Sequence, residues 1–133
     1  VSCKKSNQIL DVGCGTGLIT LMLAQRNPKC IIKGVEIDKI ASQEAQLNIN
    51  NTSWKERIFI QNISFKNFKT KIKFDLIVSN PPFFTNSTKA NNQYRKLARS
   101  TNSLNFKELI SKSKILLSKN GIFSNKNSTN LII

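Results

Sequence analysis

The chain contains no histidine and only seven acidic residues against 21 Lys plus Arg. Without imidazole no Ser-His or Cys-His pair can form, so any chemistry must proceed without imidazole as general base, and several hydrolase mechanisms are excluded. Cysteine is scarce as well. Cys3, Cys14 and Cys30 are odd in number and show no Cys-x-x-Cys or Cys/His clustering, which argues against a disulfide framework and against a zinc site. No metal is expected. The longest apolar run, Leu18 to Ala24, is interrupted by Thr20 and falls far short of the roughly 20 residues that a bilayer span needs. Val1 to Asn7 is polar and leads at once into a strand-like run. Nothing there reads as a signal-peptide core, and no membrane association and a cytoplasmic location are expected.

The shortage of acid leaves a net charge of +14, which in one small domain points to a polyanionic partner such as nucleic acid. A compositional bias toward Lys, Asn, Ile and Ser is the other source such a charge can have. At 133 residues with 39% hydrophobic content, the chain suits one globular domain over residues 1–133 with a single core.

Gln8 to Val12 reads as a strand that runs into Gly13-Cys14-Gly15-Thr16-Gly17. Leu18, Ile19, Met22 and Leu23 then carry helical spacing until Asn27-Pro28 stops it. Cys30 to Ile37 reads as a second strand, and Asp38 stands where an N-cap opens a helix through Ile40, Ala41, Ala45 and Ile49. Arg57 to Asn62 and Phe74 to Ser79 are third and fourth strand candidates, the latter ending at Asn80-Pro81-Pro82. Residues 85–101 read as a long polar loop or a poorly specified helix. Asn105 and Glu108 have capping-box spacing ahead of a helix through Phe106, Leu109, Ile110, Leu116 and Leu117, expected to reach Lys119 and stop at Asn120-Gly121. Gly121 to Ser124 opens a fifth strand, beyond which a polar run obscures the pattern. The alternation predicts an α/β fold, a mostly parallel sheet with helices on both faces, whose ligands bind beyond the carboxyl ends of the strands. The glycine turn and Asn80 to Phe83 both follow strands at that edge.

Three glycines at alternate positions in Asp11-Val-Gly-Cys-Gly-Thr-Gly17 let the backbone turn sharply and lie against a ligand with no Cβ in the way. The dinucleotide fingerprint would need glycine where Leu18 stands, and the phosphate loop would need Gly-Lys-Ser/Thr; neither is present. Glu36 ends the second strand 19 positions after Gly17, where a carboxylate can accept from both hydroxyls of a ribose. A surface acid paired with lysine is the plainer alternative. In Asn80-Pro81-Pro82-Phe83, a carboxamide oxygen and a rigidly held Pro81 carbonyl can accept both hydrogens of an adenine amino group and favour a more pyramidal nitrogen. Phe83, or the neighbouring Phe84, offers a face for a flipped or single-stranded base. Read alone, the run is also a turn that ends a buried strand with packing phenylalanines.

Asp11 through Gly17, then Gly34-Val35-Glu36-Ile37-Asp38, then Phe74 through Phe83 resemble motifs I, II and IV of class I S-adenosylmethionine-dependent amino-methyltransferases. The likeness extends to Ser53 through Ile58 and to Arg95 through Leu104, and the whole is similar to the bacterial valine tRNA (adenine-37-N6)-methyltransferases. The resemblance implies a Rossmann-like class I methyltransferase sheet and methyl transfer from S-adenosyl-L-methionine to N6 of an adenine in tRNA, by a monomer. It implies that Gly13, Gly15, Gly17 and Glu36 hold the cofactor, with Glu36 on its ribose and Asp11 near its methionine end. Asp11 can equally be a structural acid at a strand terminus. Asn80, Pro81 and Pro82 would orient the amino group and Phe83 would stack the base.

Two departures from the family pattern stand out. Asn62 replaces the usual acid that contacts the cofactor's adenine, keeping an amide oxygen as acceptor but without charge. The terminal strands of the seven-stranded fold are also expected to be missing, as in a fragment. Trp54 reads either as a family feature or as a packing aromatic. Arg95, Lys96 and Arg99 read either as a phosphate-contacting cluster or as a solvated basic face. Rival readings are a protein glutamine N5-methyltransferase, a DNA adenine methyltransferase and an inactive cofactor- or RNA-binding remnant. Charge favours RNA.

Overall fold

The computed structural model describes residues 7–80, 105–125 and 131–132. In chain order the elements are β1 (Gln8–Val12), α1 (Leu18–Arg26), β2 (Ile31–Val35), α2 (Lys39–Asn50), a single 3-10 turn (Lys55–Arg57), β3 (Ile58–Gln61), β4 (Phe74–Ser79), α3 (Phe106–Leu116), β5 (Leu117–Asn125) and β6 (Leu131–Ile132). They form one sheet in the order β3-β2-β1-β4-β5-β6. The first five strands run parallel, and β6 pairs antiparallel to β5. Beyond the fifth strand, where the polar run hides any pattern, the chain thus adds a short antiparallel pair. The chain leaves β1 toward β2 and β3 on one side and returns to β4 and β5 on the other, so the direction of winding reverses between β1 and β4. That reversal opens a crevice at the carboxyl ends of these two strands, where such sheets take their ligands.

Each face of the sheet has its own core. Ile9, Ile32, Ile58 and Leu76 pack under Leu23 and Ala24 of α1 and Ile49 of α2. Leu10, Val12, Ile77 and Phe123 pack under Leu109 and Leu116 of α3, joined by Phe65 and Phe68 from the segment after β3. Alternation along β1 sends neighbouring residues to opposite cores, as expected for strands covered on both sides. The helices are turned differently from the sequence expectation. Leu18 and Met22 of α1, Ile40 of α2 and Phe106 of α3 are exposed, and Thr20, Ser42 and Ser113 are buried in their place.

Side chains tie the elements to the sheet. Asp38 caps α2 through Ala41 N (2.9 Å) and Asn105 caps α3 through Glu108 N (2.8 Å), as their spacing predicts. Arg57 donates to the carbonyls of Ala24 (2.8 Å), Asn27 (3.0 Å) and Cys30 (3.1 Å), closing the end of α1 and the turn into β2. Lys112 of α3 reaches the carbonyls of Phe65, Lys66 and Phe68; burial, and secondarily the charge of Lys69, hold its pKa below the ordinary lysine range.

The expected end of the last helix is corrected. α3 stops at Leu116, and Leu117 already pairs with Phe74 as the first residue of β5. The next pair is Leu76 with Ile122, so β5 bulges between these points. Gly121 lies in the bulge, where an added Cβ would come within 2.9 Å of the Phe74 carbonyl and 2.7 Å of a Leu117 methyl. The glycine marks a close approach to β4 and not a helix stop.

Candidate active site

The turn after β1 is built by its glycines. Gly13, Gly15 and Gly17 have φ of 74°, 56° and 92°, values in the left-handed region that other residues adopt only with strain. An added Cβ would meet nothing within 4 Å at Gly13 or Gly15, so the turn faces open space with bare backbone. Gly13 N (2.8 Å) and Cys14 N (3.0 Å) donate to the Val35 carbonyl, and Gly17 N donates to Cys14 O (2.9 Å). These bonds lock the turn against the end of β2. Asn48 of α2 holds it from the other side by donating to Thr16 O (2.9 Å).

Glu36 follows β2 and is fixed by the same turn. One carboxylate oxygen accepts from Gly15 N at 2.7 Å and the other from Asp38 N at 2.9 Å. Each oxygen retains a further lone pair for an incoming hydroxyl. Asn62, just after β3, donates its amide nitrogen to the carbonyls of Glu36 (2.8 Å) and Ile37 (3.1 Å). With the nitrogen committed to backbone, the amide oxygen is the group left to accept. Gly13, Gly15, Gly17, Glu36 and Asn62 are therefore brought together at one sheet edge by direct hydrogen bonds, across three strands.

Asp11 lies beneath the turn rather than in its mouth. It is 1% exposed and accepts from the Thr20 hydroxyl at 2.6 Å. Burial raises its pKa from 3.8 to about 6, with the Thr20 bond pulling it down and the charge of Glu36 adding to the rise. Cys14 is buried beside it. Burial first, then the charges of Asp11 and Glu36, push its thiol far above the ordinary range, so it carries no thiolate chemistry near neutral pH.

Across the switch point, Val12 at the end of β1 registers with Ser79 at the end of β4, and the Ser79 hydroxyl donates to Val12 O (3.4 Å). Asn80 follows directly and is half-buried. The glycine turn and Asn80 thus leave adjacent strands at the same end. Pro81, Pro82 and Phe83, with Phe84, Cys3, the loop at 85–101 and the Arg95, Lys96 and Arg99 cluster, lie outside the described residues. Trp54 packs against the core under α1 and α2. Sequence reasoning missed Thr20 and Asn48 as supports of the turn. The signal for Thr20 was a polar residue on the same helix stripe as Leu23 and Ala24; Asn48 had none. Among the described residues no group of three or more His, Cys, Asp or Glu could hold a metal ion, and no helix is long and apolar enough to cross a membrane.

Known proteins share both the sequence and the sheet. A protein of Flavobacterium psychrophilum named tRNA1(Val) (adenine(37)-N6)-methyltransferase is 44% identical over 118 residues, covering 87% of this chain and 50% of its own length. One of the same name from Haemophilus influenzae is 50% identical over 101 residues, covering 74% of the chain and 44% of its own length. The chain spans about half the length of these relatives. Among solved structures, StiE O-MT superposes with a TM-score of 0.70 at 16% identity, over 92% of this chain and 38% of that one. A SAM-dependent methyltransferase from Thiobacillus denitrificans, in complex with S-adenosyl-L-homocysteine, gives 0.65 at 12% identity, over 88% and 40%. These two share the Rossmann-like methyltransferase fold. Residues 1–124 match the methyltransferase small domain, and the chain belongs to that family.

Proposed function

We propose that residues 1–133 form the single methyl-transfer domain of a tRNA N6-adenine methyltransferase that uses S-adenosyl-L-methionine and acts on position 37 of a valine tRNA. The observation that carries the reading is the juxtaposition at the switch point: a glycine turn with open space above it leaves β1, and Asn80 leaves the adjacent β4 at the same end. The names of the relatives that are 44% and 50% identical supply the position and the tRNA. The net charge of +14 favours a polynucleotide over a peptide substrate.

The bare backbone of Gly13 and Gly15 fits a cofactor that would lie flat against the turn, Gly17 lets the turn pack closely on Ala45 of α2, and Glu36 fits the ribose. When bound, the cofactor supplies a methyl group already activated on a sulfonium, so the protein needs alignment more than acid or base strength. Asn62 would offer its amide oxygen to the adenine amino group of that cofactor. Asp11, buried and bonded to Thr20, would hold the base of the turn. Asn80 and the Pro81 carbonyl would accept the two hydrogens of the target amino group and so favour a pyramidal nitrogen, while Pro82 would stiffen the run and Phe83 would stack the base. No metal enters this scheme. The protein works as a monomer in the cytoplasm.

The test is transfer of labelled methyl from S-adenosyl-L-methionine to unmodified tRNA. Label is expected as N6-methyladenine, and Asn80→Ala should lower the rate by about 10²-fold or more while the affinity for S-adenosylhomocysteine stays within a few-fold. Label in glutamine of a peptide, with none in tRNA, would overturn the substrate class.

A further inference from the structure

On the α3 side of the sheet, no helix among the described residues lies over β2 and β3. Leu109 and Leu116 of α3 share a core with residues of β1, β4 and β5, and Phe65 and Phe68, with Ile63, extend that core from the segment after β3 to Val35 of β2. Ile32 and Ile58 face the opposite core, so alternation turns Lys33 and Phe59, which register with each other, to the α3 side together with Val35 and Gln61. Phe59 is 52% exposed although it is a large aromatic in the middle of a strand. Beside it lies an open cavity of about 470 Å³ lined by Lys33, Val35, Phe59, Gln61 and Phe68, within the roughly 300–1,000 Å³ range of ligand sites.

We infer that this cavity is a subsite for an unpaired nucleotide of RNA, with Phe59 stacking the base, Gln61 meeting its edge and Lys33 holding a phosphate. The parts match that ligand and no other single class as well. An exposed aromatic on an open sheet face is a platform on which any base can stack. An amide such as that of Gln61 presents a donor and an acceptor together, as a base edge does. The lining contains a cation and no acid, and Lys69 follows the Phe68 wall. The subsite adjoins the proposed active site without being part of it, since Glu36 and Asn62 come directly after Val35 and Gln61. A strand of RNA that delivers an adenine to Asn80 has flanking nucleotides to place, and this cavity takes one of them. The inference rests on the RNA reading given above.

The experiment measures tRNA affinity, S-adenosylhomocysteine affinity and methyl transfer for the chain and for Phe59→Ala, Phe59→Tyr and Lys33→Ala. Phe59→Ala should weaken tRNA binding about tenfold, with Phe59→Tyr close to the parent. Lys33→Ala should flatten the dependence of log affinity on log salt by about 0.7. Cofactor-product affinity and melting temperature should not move, because Phe59 is half out of the fold. Parental tRNA affinity in both Phe59→Ala and Lys33→Ala, with methyl transfer intact, overturns the subsite alone. A parallel loss of S-adenosylhomocysteine affinity overturns it by assigning Phe59 to the cofactor. Self-association of the chain that Phe59→Ala abolishes, with tRNA affinity unchanged, overturns it in favour of a protein interface on the edge strand β3. A chain that binds S-adenosylhomocysteine but no tRNA removes the RNA reading and the subsite with it.

Discussion

At the scale of single residues, Asp11 has a consequence that the fold makes measurable. Its pKa is 3.8 when unfolded and about 6 in the folded chain. Below pH 3.8 both states hold the proton. Between 3.8 and 6 the folded state keeps a proton that the unfolded state has released, so stability falls as pH rises through this window, by about 3 kcal/mol in all. Above pH 6 both are ionised and the cost is constant. Asp11→Asn keeps an oxygen for Thr20 and has no proton to lose. Relative to the parent it should therefore gain about 1–3 kcal/mol between pH 4 and pH 7.5, read from melting curves across that range. A variant whose difference from the parent is flat in pH would refute the raised pKa. Thr20→Val should cost about 1–3 kcal/mol at pH 7.5, because a buried carboxylate loses its hydroxyl donor. The glycine turn, Glu36 and Asn80 are legible in the sequence because each announces its chemistry locally. The Asp11–Thr20 pair is not, because a strand, a sharp turn and a helix must fold back before the two meet. Thr20 otherwise looks like a flaw in an apolar run.

Among the elements, α1 shows how much a helix owes to a distant side chain. Its last carbonyls have no helical partner, and Arg57, 31 residues after Arg26, supplies the donors for Ala24, Asn27 and Cys30. Arg57→Met should lower unfolding free energy by about 2 kcal/mol, seen as a lower urea midpoint at unchanged slope. Arg57→Lys should recover only part of this, since Arg57 serves Asn27 and Cys30 with one terminal nitrogen and Ala24 with the other, and an ammonium lacks that planar, preorganised fork. Full recovery by lysine would mean that charge alone matters there. The starts of β1 to β4 and of the three helices were readable to within a residue, since strands and caps carry local signals such as Asp38 and Asn105, whereas β5 starts four residues before the expected Gly121. The end of α3 was not. Leu116 and Leu117 continue a helical period, yet the pairing of Leu117 with Phe74 wins, and tertiary pairing overrides local pattern. Gly121→Ala, which drives a methyl into the Phe74 carbonyl, should cost about 1–3 kcal/mol by thermal melting, whereas a glycine that merely ended a helix would tolerate alanine better than that.

For the whole molecule, the alternation of strands and helices announces a parallel sheet, but the reversal between β1 and β4 that creates the site is a property of the closed topology and of no single segment. Charge behaves in the same way. The excess of +14 says nothing about where it acts until the chain is folded, and among the described residues the charge is lopsided. The segment after β3 lies along α3, tied by Lys112 to the carbonyls of Phe65, Lys66 and Phe68 and by Lys73 to that of Ile115. That segment carries Lys66, Lys69, Lys71 and Lys73 and α3 carries Lys107 and Lys114, with Glu108, 3.9 Å from Lys66, as the acid on that helix. The α1 and α2 side mixes Arg26, Lys29, Lys39 and Lys55 with Asp38, Glu44 and Glu56. A polyanion bound through specific phosphates should feel this asymmetry, whereas a compositional bias would give only diffuse attraction. Each lysine that neutralises a phosphate contributes about 0.7–0.9 to the slope of log affinity against log salt. Replacing Lys66, Lys69, Lys71 and Lys114 together by alanine should then flatten the slope for tRNA by about three. Replacing Lys29, Lys39 and Lys55 should change it by less than one. S-adenosylhomocysteine affinity, which involves none of these side chains, is expected to stay constant in both variants and serves as the check on folding. Equal flattening by the two sets would assign the charge to composition and leave the α3 side without a special claim on RNA.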